Sequence, residues 1–287
     1  MAVMGESGRP EIGALADAAG IKTNYLTAGD GPPVVLIHDA EPGVTAYANW
    51  RLMIPGLATR FRVIAPDLAG FGFSERPDGL EYGLRIWVDQ AVGLIDGLGL
   101  ERVHLVGAGL GGAIAIRLAA ERPDRVGRLV LIASLGLDVP ITEGLDRVWG
   151  YRPSFDGMRR VLEVLAHSTD LVTDELALIR YRGSVQPGFQ ESFATMFPAD
   201  ESGSRQRWVE ALRTPDTTIG GLPHRTLILH GRDDRVIPRS AGYELETLLP
   251  QADLVMLSGC GHWPTIERAA DVNRLVADFL ADDRTAT

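Results

Sequence analysis

Val103-His104-Leu105-Val106-Gly107-Ala108-Gly109-Leu110-Gly111-Gly112-Ala113 is the stretch whose reading decides the fold. A short apolar run leads into a turn dense in glycine, and then into the helix formers of residues 113–120. The glycines fall at the spacing G-x-S-x-G, in which a sharp strand-to-helix turn lifts a serine hydroxyl to the end of a buried strand. The middle position here is Gly109. A turn suited to presenting a side chain carries a hydrogen atom.

Outward from this turn, short β-branched runs alternate with helical stretches, the pattern of an α/β protein with a mostly parallel sheet covered on both faces. The pattern predicts strands near 21–27, 34–38, 61–67, 103–107, 129–134, 225–231 and 253–259, with helices near 86–98, 110–121, 239–249 and 267–281. Pro123 and Gly127 close the helix after the glycine turn. From Gly136 to His224 the strand rhythm stops and helical periodicity takes over, as in Met158, Val161, Leu162 and Leu165. We read 1–136 and 224–287 as an α/β core and 137–223 as an inserted helical cap. Its aromatic residues Trp149, Tyr151, Phe155, Tyr181, Phe189, Phe193, Phe197 and Trp208 either line an apolar pocket or pack the cap's own core.

Composition narrows the function classes. The chain has 287 residues, 45% of them hydrophobic, and a formal net charge of −10. Its basic residues are scattered singly, which argues against nucleic acid or an anionic membrane as partner. Runs such as 34–37 and 129–133 are too short to span a bilayer, and residues 1–15 lack the pattern of a signal peptide. Cys260 is the only cysteine, so no intrachain disulfide can form and a reducing cytoplasm fits. Lys22 is the only lysine, a bias of GC-rich coding sequence rather than of physics. Nothing implies a metal or another cofactor.

Several further segments carry a resemblance. They are His38 with Pro42-Gly43 and Ala48-Asn49-Trp50; Ala65-Pro66-Asp67-Leu68-Ala69-Gly70-Phe71-Gly72 with Ser74; His230-Gly231-Arg232-Asp233-Asp234-Arg235-Val236-Ile237-Pro238; and Ser258-Gly259-Cys260-Gly261-His262-Trp263. With Leu171–Leu176 leading to Arg180-Tyr181, they make the chain resemble α/β-hydrolase-fold proteins over nearly its whole length. It is most similar to the meta-cleavage-product hydrolases, which split carbon–carbon bonds in vinylogous diketones.

The resemblance implies roles. Asp234 is the acid that orients His262, and an aspartate–histidine pair is a complete general base near neutral pH. Arg180 is the candidate for holding a ligand's carboxylate, enolate or phenolate in a bidentate fork, against the alternative of an exposed helix arginine. Asn49 bonds the ligand or orders its loop, and Trp263 is a pocket wall. Cys260 is read as packing and Asp233 as a solvated loop residue. His104, His167, His224 and His230 are given no role.

The departures weigh as much. Hydrolases of this kind carry a glycine-rich loop after the histidine of the third strand, and one of its N–H groups joins that of the residue after the nucleophile to form an oxyanion hole. Here that region is Asp39-Ala40-Glu41 and Leu110, which sets two acidic side chains beside the place where negative charge should collect. Ala108 stands where an asparagine often precedes the serine. An engineered inactive serine-to-glycine variant would change one position, whereas here the turn, its neighbour and the loop differ together. Natural divergence is the better-fitting reading, with an engineered inactive hydrolase as the alternative. Asp39 and Ser134 both lie near strand ends, and Asp39 is a candidate second acid or base toward His262.

Three functions follow as expectations. The leading one is a cofactor-free, non-hydrolytic enzyme in which His262, oriented by Asp234, removes a proton from a conjugated substrate and directs carbon–carbon bond formation or cleavage, in natural-product biosynthesis. The second keeps hydrolysis, with water activated by His262 in the space left at Gly109. The third is a non-catalytic ligand-binding protein. Each takes a small molecule as partner; a homodimer is compatible with the family, but no interface is legible.

Overall fold

The computed structural model describes residues 9–198 and 202–282. At its centre lie β1 (Ala14–Ala18), β2 (Ile21–Ala28), β3 (Pro33–Ile37), β4 (Arg62–Pro66), β5 (Val103–Ala108), β6 (Val126–Ile132), β7 (Thr226–Gly231) and β8 (Ala252–Leu257). They form one sheet in the order β1-β2-β4-β3-β5-β6-β7-β8. β1 pairs antiparallel with β2 and β2 antiparallel with β4, while every pairing from β4 to β8 is parallel. This is the mostly parallel sheet that the sequence pattern predicts, in the arrangement that the resemblance implies. β1 is an addition to that prediction: its Ala-Leu-Ala-Asp-Ala run has no β-branched residue and becomes a strand by pairing with β2.

The parallel strands are buried on both faces, so period-two alternation sorts their side chains into two cores rather than into core and solvent. Val35, Ile37, Leu105, Leu129 and Leu131 point to one core. Val34, Leu36, Val106, Val130, Leu227 and Leu229 point to the other. Each such side chain contributes about 1.5–3 kcal/mol on full burial. Both layers of helices are held in this way.

The glycine turn follows directly. β5 ends at Ala108 and the next helix, Leu110–Glu121, starts two residues later, with Gly109 between them at φ +48° and ψ −113°. Glycine adopts that conformation without the Cβ penalty of other residues. Gly111 lets the helix approach β3, since a Cβ there would stand 2.0 Å from the Ile37 carbonyl oxygen. Ile37 is in register with Gly107. The loops leaving β3 and β5 therefore emerge side by side at the carboxyl edge of the sheet, where ligands bind in open parallel sheets.

Between β6 and β7 the described residues form helices and no strand: Glu143–Trp149, Phe155–Leu165, Asp174–Ser184, Phe189–Met196, Ser202–Leu212 and Asp216–Ile219. Their aromatics pack chiefly on one another. Trp149 stacks on Phe197 with ring centroids 4.4 Å apart, and Phe197 also meets Phe193 at 5.1 Å and Trp208 at 5.4 Å. Trp208 reaches Trp87 of the helix Leu84–Gly97 at 5.8 Å. The C-terminal helical stretch divides into Pro264–Glu267 and Ala269–Ala281, broken at Arg268. No helix among the described residues is long and apolar enough to cross a membrane.

Candidate active site

Three loops at the carboxyl edge of the sheet build the site. Asp234 follows β7, and its Oδ1 accepts the backbone N–H groups of Val236 at 2.7 Å and Ile237 at 3.0 Å. Those bonds fix the carboxylate so that Oδ2 faces His262 Nδ1 at 2.8 Å. His230, on β7 itself, stands behind the same oxygen at 3.4 Å and bonds the Ile237 carbonyl at 3.1 Å. Residue patterning assigns His230 no role. The signal that could have found it is its position four residues before Asp234, at the end of a buried strand.

His262 is held by its own loop. Its N–H donates to the Leu165 carbonyl at 2.8 Å. Glu267 accepts the N–H of Gly261 on one oxygen and those of His167 and Ser168 on the other. Predicted as a pair, Asp234 and His262 are brought together.

The pair does not stand alone: Asp39, the candidate second acid or base, reaches the same ring and closes it off on the other side. His262 Nε2 meets Asp39 Oδ2 at 2.8 Å. Asp39 Oδ1 accepts the Leu110 N–H at 2.8 Å and the Ala40 N–H at 2.6 Å. Its backbone is fixed from both sides: the Asp39 N–H donates to Asn49 Oδ1 at 2.9 Å, and the Asp39 carbonyl lies 2.7 Å from His38 Nδ1. Because the Leu68 N–H donates to His38 Nε2, Nδ1 carries the His38 proton. Burial keeps that imidazole neutral, with a pKa lowered to about 4. His38 and Asn49 thus act on the loop, and His38 is a positioning residue that residue patterning locates without interpreting.

A buried imidazole between two carboxylates has a definite charge state. Burial opposes ionisation of His262, but Asp234 and Asp39 outweigh it and raise the pKa well above the ordinary histidine value. Burial pushes Asp39 up, yet the His262 hydrogen bond and charge, with the Leu110 and Ala40 N–H groups, hold it below the usual carboxylate range. Asp234 is likewise held low against its burial, by His262 and His230. Each shift is in the direction that favours the charged form, carboxylate, imidazolium, carboxylate.

Glu41, two residues on, is buried as well. Its Oε2 pairs with Arg180 Nη2 at 2.6 Å and its Oε1 accepts the Trp263 indole N–H. Arg180 is therefore not an exposed helix arginine. Its Nε is buried without a hydrogen-bond partner. A cavity of about 100 Å³ opens here, lined by Glu41, Asn49, Arg51, Arg180, Trp263 and Ile266 among others. His262 is not among its walls, and neither are the aromatics of the helices between β6 and β7. Burial and Asp39 push the Glu41 carboxyl up, against the pull of Arg180.

The remaining candidates take structural places. Ser134 Oγ is buried and donates to the Leu135 carbonyl at 2.6 Å. Cys260 is fully buried, with its thiol pushed up to about 12 by burial and by Glu267. Asp233 is partly exposed and accepts the Gly259 N–H at 3.0 Å.

Comparison with known proteins agrees with the fold. Residues 33–269 match the family model described as the alpha/beta hydrolase fold. The chain is 52% identical over 273 residues to a 2-hydroxymuconate semialdehyde hydrolase of Pseudomonas sp. (strain CF600), covering 95% of each chain. It is 51% identical to a 2-hydroxy-6-oxo-2,4-heptadienoate hydrolase of Pseudomonas putida, covering 94% of this chain and 97% of that one. Among solved structures, it superposes with a TM-score of 0.92 and 49% identity on a meta-cleavage product hydrolase from Pseudomonas fluorescens IP01, a serine-to-alanine mutant complexed with acetates, covering 95% and 98% of the two chains. This chain belongs to the α/β-hydrolase fold family and is a relative of its meta-cleavage-product hydrolases.

Proposed function

We propose that this chain is a hydrolase-type enzyme acting on a small conjugated oxo acid of the kind named for its relatives, with water as the attacking group because Gly109 offers no side-chain nucleophile. The observation that carries the reading is the chain of contacts Asp39–His262–Asp234, with His262 at 2.8 Å from each carboxylate. Water adds its oxygen to the substrate carbonyl carbon. The carbon–carbon bond to the neighbouring chain breaks, and the departing dienolate takes the His262 Nε2 proton relayed through Asp39 Oδ2, the group that caps it. The water proton passes to the histidine–carboxylate group, so the charge state is restored. The substrate carboxylate is held at the free Arg180 Nε, in the cavity shared with Arg51 and Asn49. This favours hydrolysis over the non-hydrolytic bond-forming chemistry expected first, since the relatives are named as hydrolases and suggest aromatic catabolism rather than biosynthesis.

The test is turnover of 2-hydroxymuconate semialdehyde in ¹⁸O-labelled water, followed by loss of the conjugated chromophore and by mass spectrometry of the products. One labelled oxygen in the released carboxylic acid, with activity lost in His262→Ala, is the expected result. Stable substrate, or turnover unaffected by His262→Ala, rejects the reading.

One observation favours a second reading. Asp39 Oδ1 occupies both the Leu110 and the Ala40 N–H groups, which leaves neither for a tetrahedral oxyanion. On that reading the site only moves a proton between the enol oxygen and the carbon chain. The same assay repeated in deuterium oxide separates the two, since this outcome gives chromophore loss and solvent deuterium on carbon without bond cleavage.

A further inference from the structure

The carboxylate of Asp39 stands in three contacts that an acyl-transfer centre keeps open. Leu110 supplies the first N–H after the glycine turn, and Ala40 supplies one from the loop after β3, the two-amide arrangement that cradles an oxyanion. Both donate to Asp39 Oδ1, at 2.8 and 2.6 Å. The third contact is His262 Nε2, where a nucleophile's hydroxyl would donate, and Asp39 Oδ2 takes it at 2.8 Å. A Cβ placed on Gly109 would lie 1.9 Å from Asp39 Oδ1, 2.0 Å from Cγ and 2.2 Å from Oδ2. These atoms belong to a side chain, so the carboxylate rather than the backbone would have to leave. Leaving breaks all three contacts in a site where Asp39 is only 8% exposed. A side chain at 109 and the Asp39 carboxylate therefore compete for one volume.

We propose that Asp39 is the specificity-determining residue of this site: its carboxylate is a resident anion that fills the two-amide cradle and caps His262, and so excludes acyl transfer through residue 109. The inference deepens the water-based reading above and rests on it only for the native reaction. It makes positions 39 and 109 a coupled pair. Glycine at 109 is required by aspartate at 39, and a serine at 109 becomes a nucleophile only when the carboxylate is gone. In Asp39→Gly/Gly109→Ser, the introduced hydroxyl oxygen attacks an ester carbonyl, its proton passes to His262, the alcohol leaves, and water then releases the acyl group.

The experiment compares wild type, Asp39→Gly, Gly109→Ser and the double variant. Each is treated with diisopropyl fluorophosphate, from which a seryl oxygen displaces fluoride, and read by intact and peptide mass spectrometry. p-Nitrophenyl acetate turnover and melting temperature are measured in parallel. Only the double variant is expected to take the label at residue 109, at least about 100-fold faster than Gly109→Ser, the scale of one lost oxyanion interaction. Its melting temperature should recover part of what Gly109→Ser loses, a coupling that two independent sites would not give. Equal labelling of Gly109→Ser and the double variant overturns the proposal. So does a folded double variant that takes no label. If the double variant fails to fold, Asp39→Ala/Gly109→Ser replaces it, and failure of both while Gly109→Ser folds also overturns the proposal. Labelling as expected alongside no native turnover of the semialdehyde would reject the proposed function and leave this inference standing.

Discussion

Glu41 and Arg180 form a buried ion pair at 2.6 Å between a loop of the sheet and the helix Asp174–Ser184, 139 residues apart in sequence. Glu41 engages only one edge of the guanidinium; Arg180 Nε stays unpaired, and Arg51 adds a second positive charge on the cavity wall. On the proposed function, a ligand carboxylate and Glu41 would address the same arginine. The short distance strengthens the charge-assisted bond, and both partners have lost their water.

Glu41→Gln tests this arrangement. Removing one partner of a buried pair costs about 3–5 kcal/mol, so the variant should melt well below wild type. Sorbate, a simple conjugated dienoate, can restore the missing charge. Its stabilisation of Glu41→Gln, read by thermal shift, should exceed its stabilisation of wild type. Equal shifts in the two proteins would mean that Arg180 does not receive the ligand's acid group.

The charge state of His262 makes stability depend on pH in a particular window. Its folded pKa is raised above 6.5, so its contribution is complete below about pH 6.5 and is lost as pH rises through the folded value. Asp39 and Asp234 are shifted down from 3.8, so theirs is present above that value and is lost only on acidification. Glu41, raised from 4.5, also lowers stability as pH rises. A difference measurement separates it: the melting-temperature gap between wild type and His262→Gln should narrow as pH is raised above 6.5. A gap constant from pH 6.5 to 9.5 would show that His262 is not held as an imidazolium.

How much of this was legible in the sequence depends on distance along the chain. The turn at 107–111 is local, because strand, glycines and helix are consecutive and their patterning is enough. Asp234 and His262 were found because each sits in a loop whose residues match a known pattern. The Asp39 contacts are another matter. They follow from the register of Ile37 with Gly107, which sets two loops 71 residues apart side by side. Residue identity named Asp39 as a candidate second acid or base toward His262 and set acidic groups beside the anion site, but did not put the carboxylate inside the two-amide cradle. Glu41–Arg180 was hidden for the same reason. The aromatics between β6 and β7 were ambiguous since pocket lining and mutual stacking require the same residue types, and Trp149 on Phe197 resolves toward stacking.

Cys260, two residues before His262, should be chemically silent. Burial and the nearby Glu267 push its thiol up to about 12, and the thiolate is the reactive form. Iodoacetamide at pH 8 should leave the native protein unmodified over a period in which the urea-unfolded chain is fully alkylated at this one position. Comparable labelling of both would place the thiol at the surface rather than in the core with Val272 and Val276.

Asp234→Asn is the sharpest probe of the base. In wild type Asp234 accepts from His262 Nδ1 and from the N–H groups of Val236 and Ile237. An asparagine oxygen can keep the backbone bonds, but the amide N–H₂ then faces Nδ1 and favours the tautomer with the proton on Nε2. That nitrogen is the one that faces Asp39. In a serine protease the equivalent change costs about 10⁴ in turnover with geometry intact. Here Asp39 remains as a second carboxylate on the other side of the ring and still favours the imidazolium. The loss in semialdehyde turnover should therefore be smaller, about 10²-fold, the low end of general acid–base effects. Asp39→Asn/Asp234→Asn should lose the rest. A loss in Asp234→Asn as large as in the double variant would remove Asp39 from the proton-transfer chain.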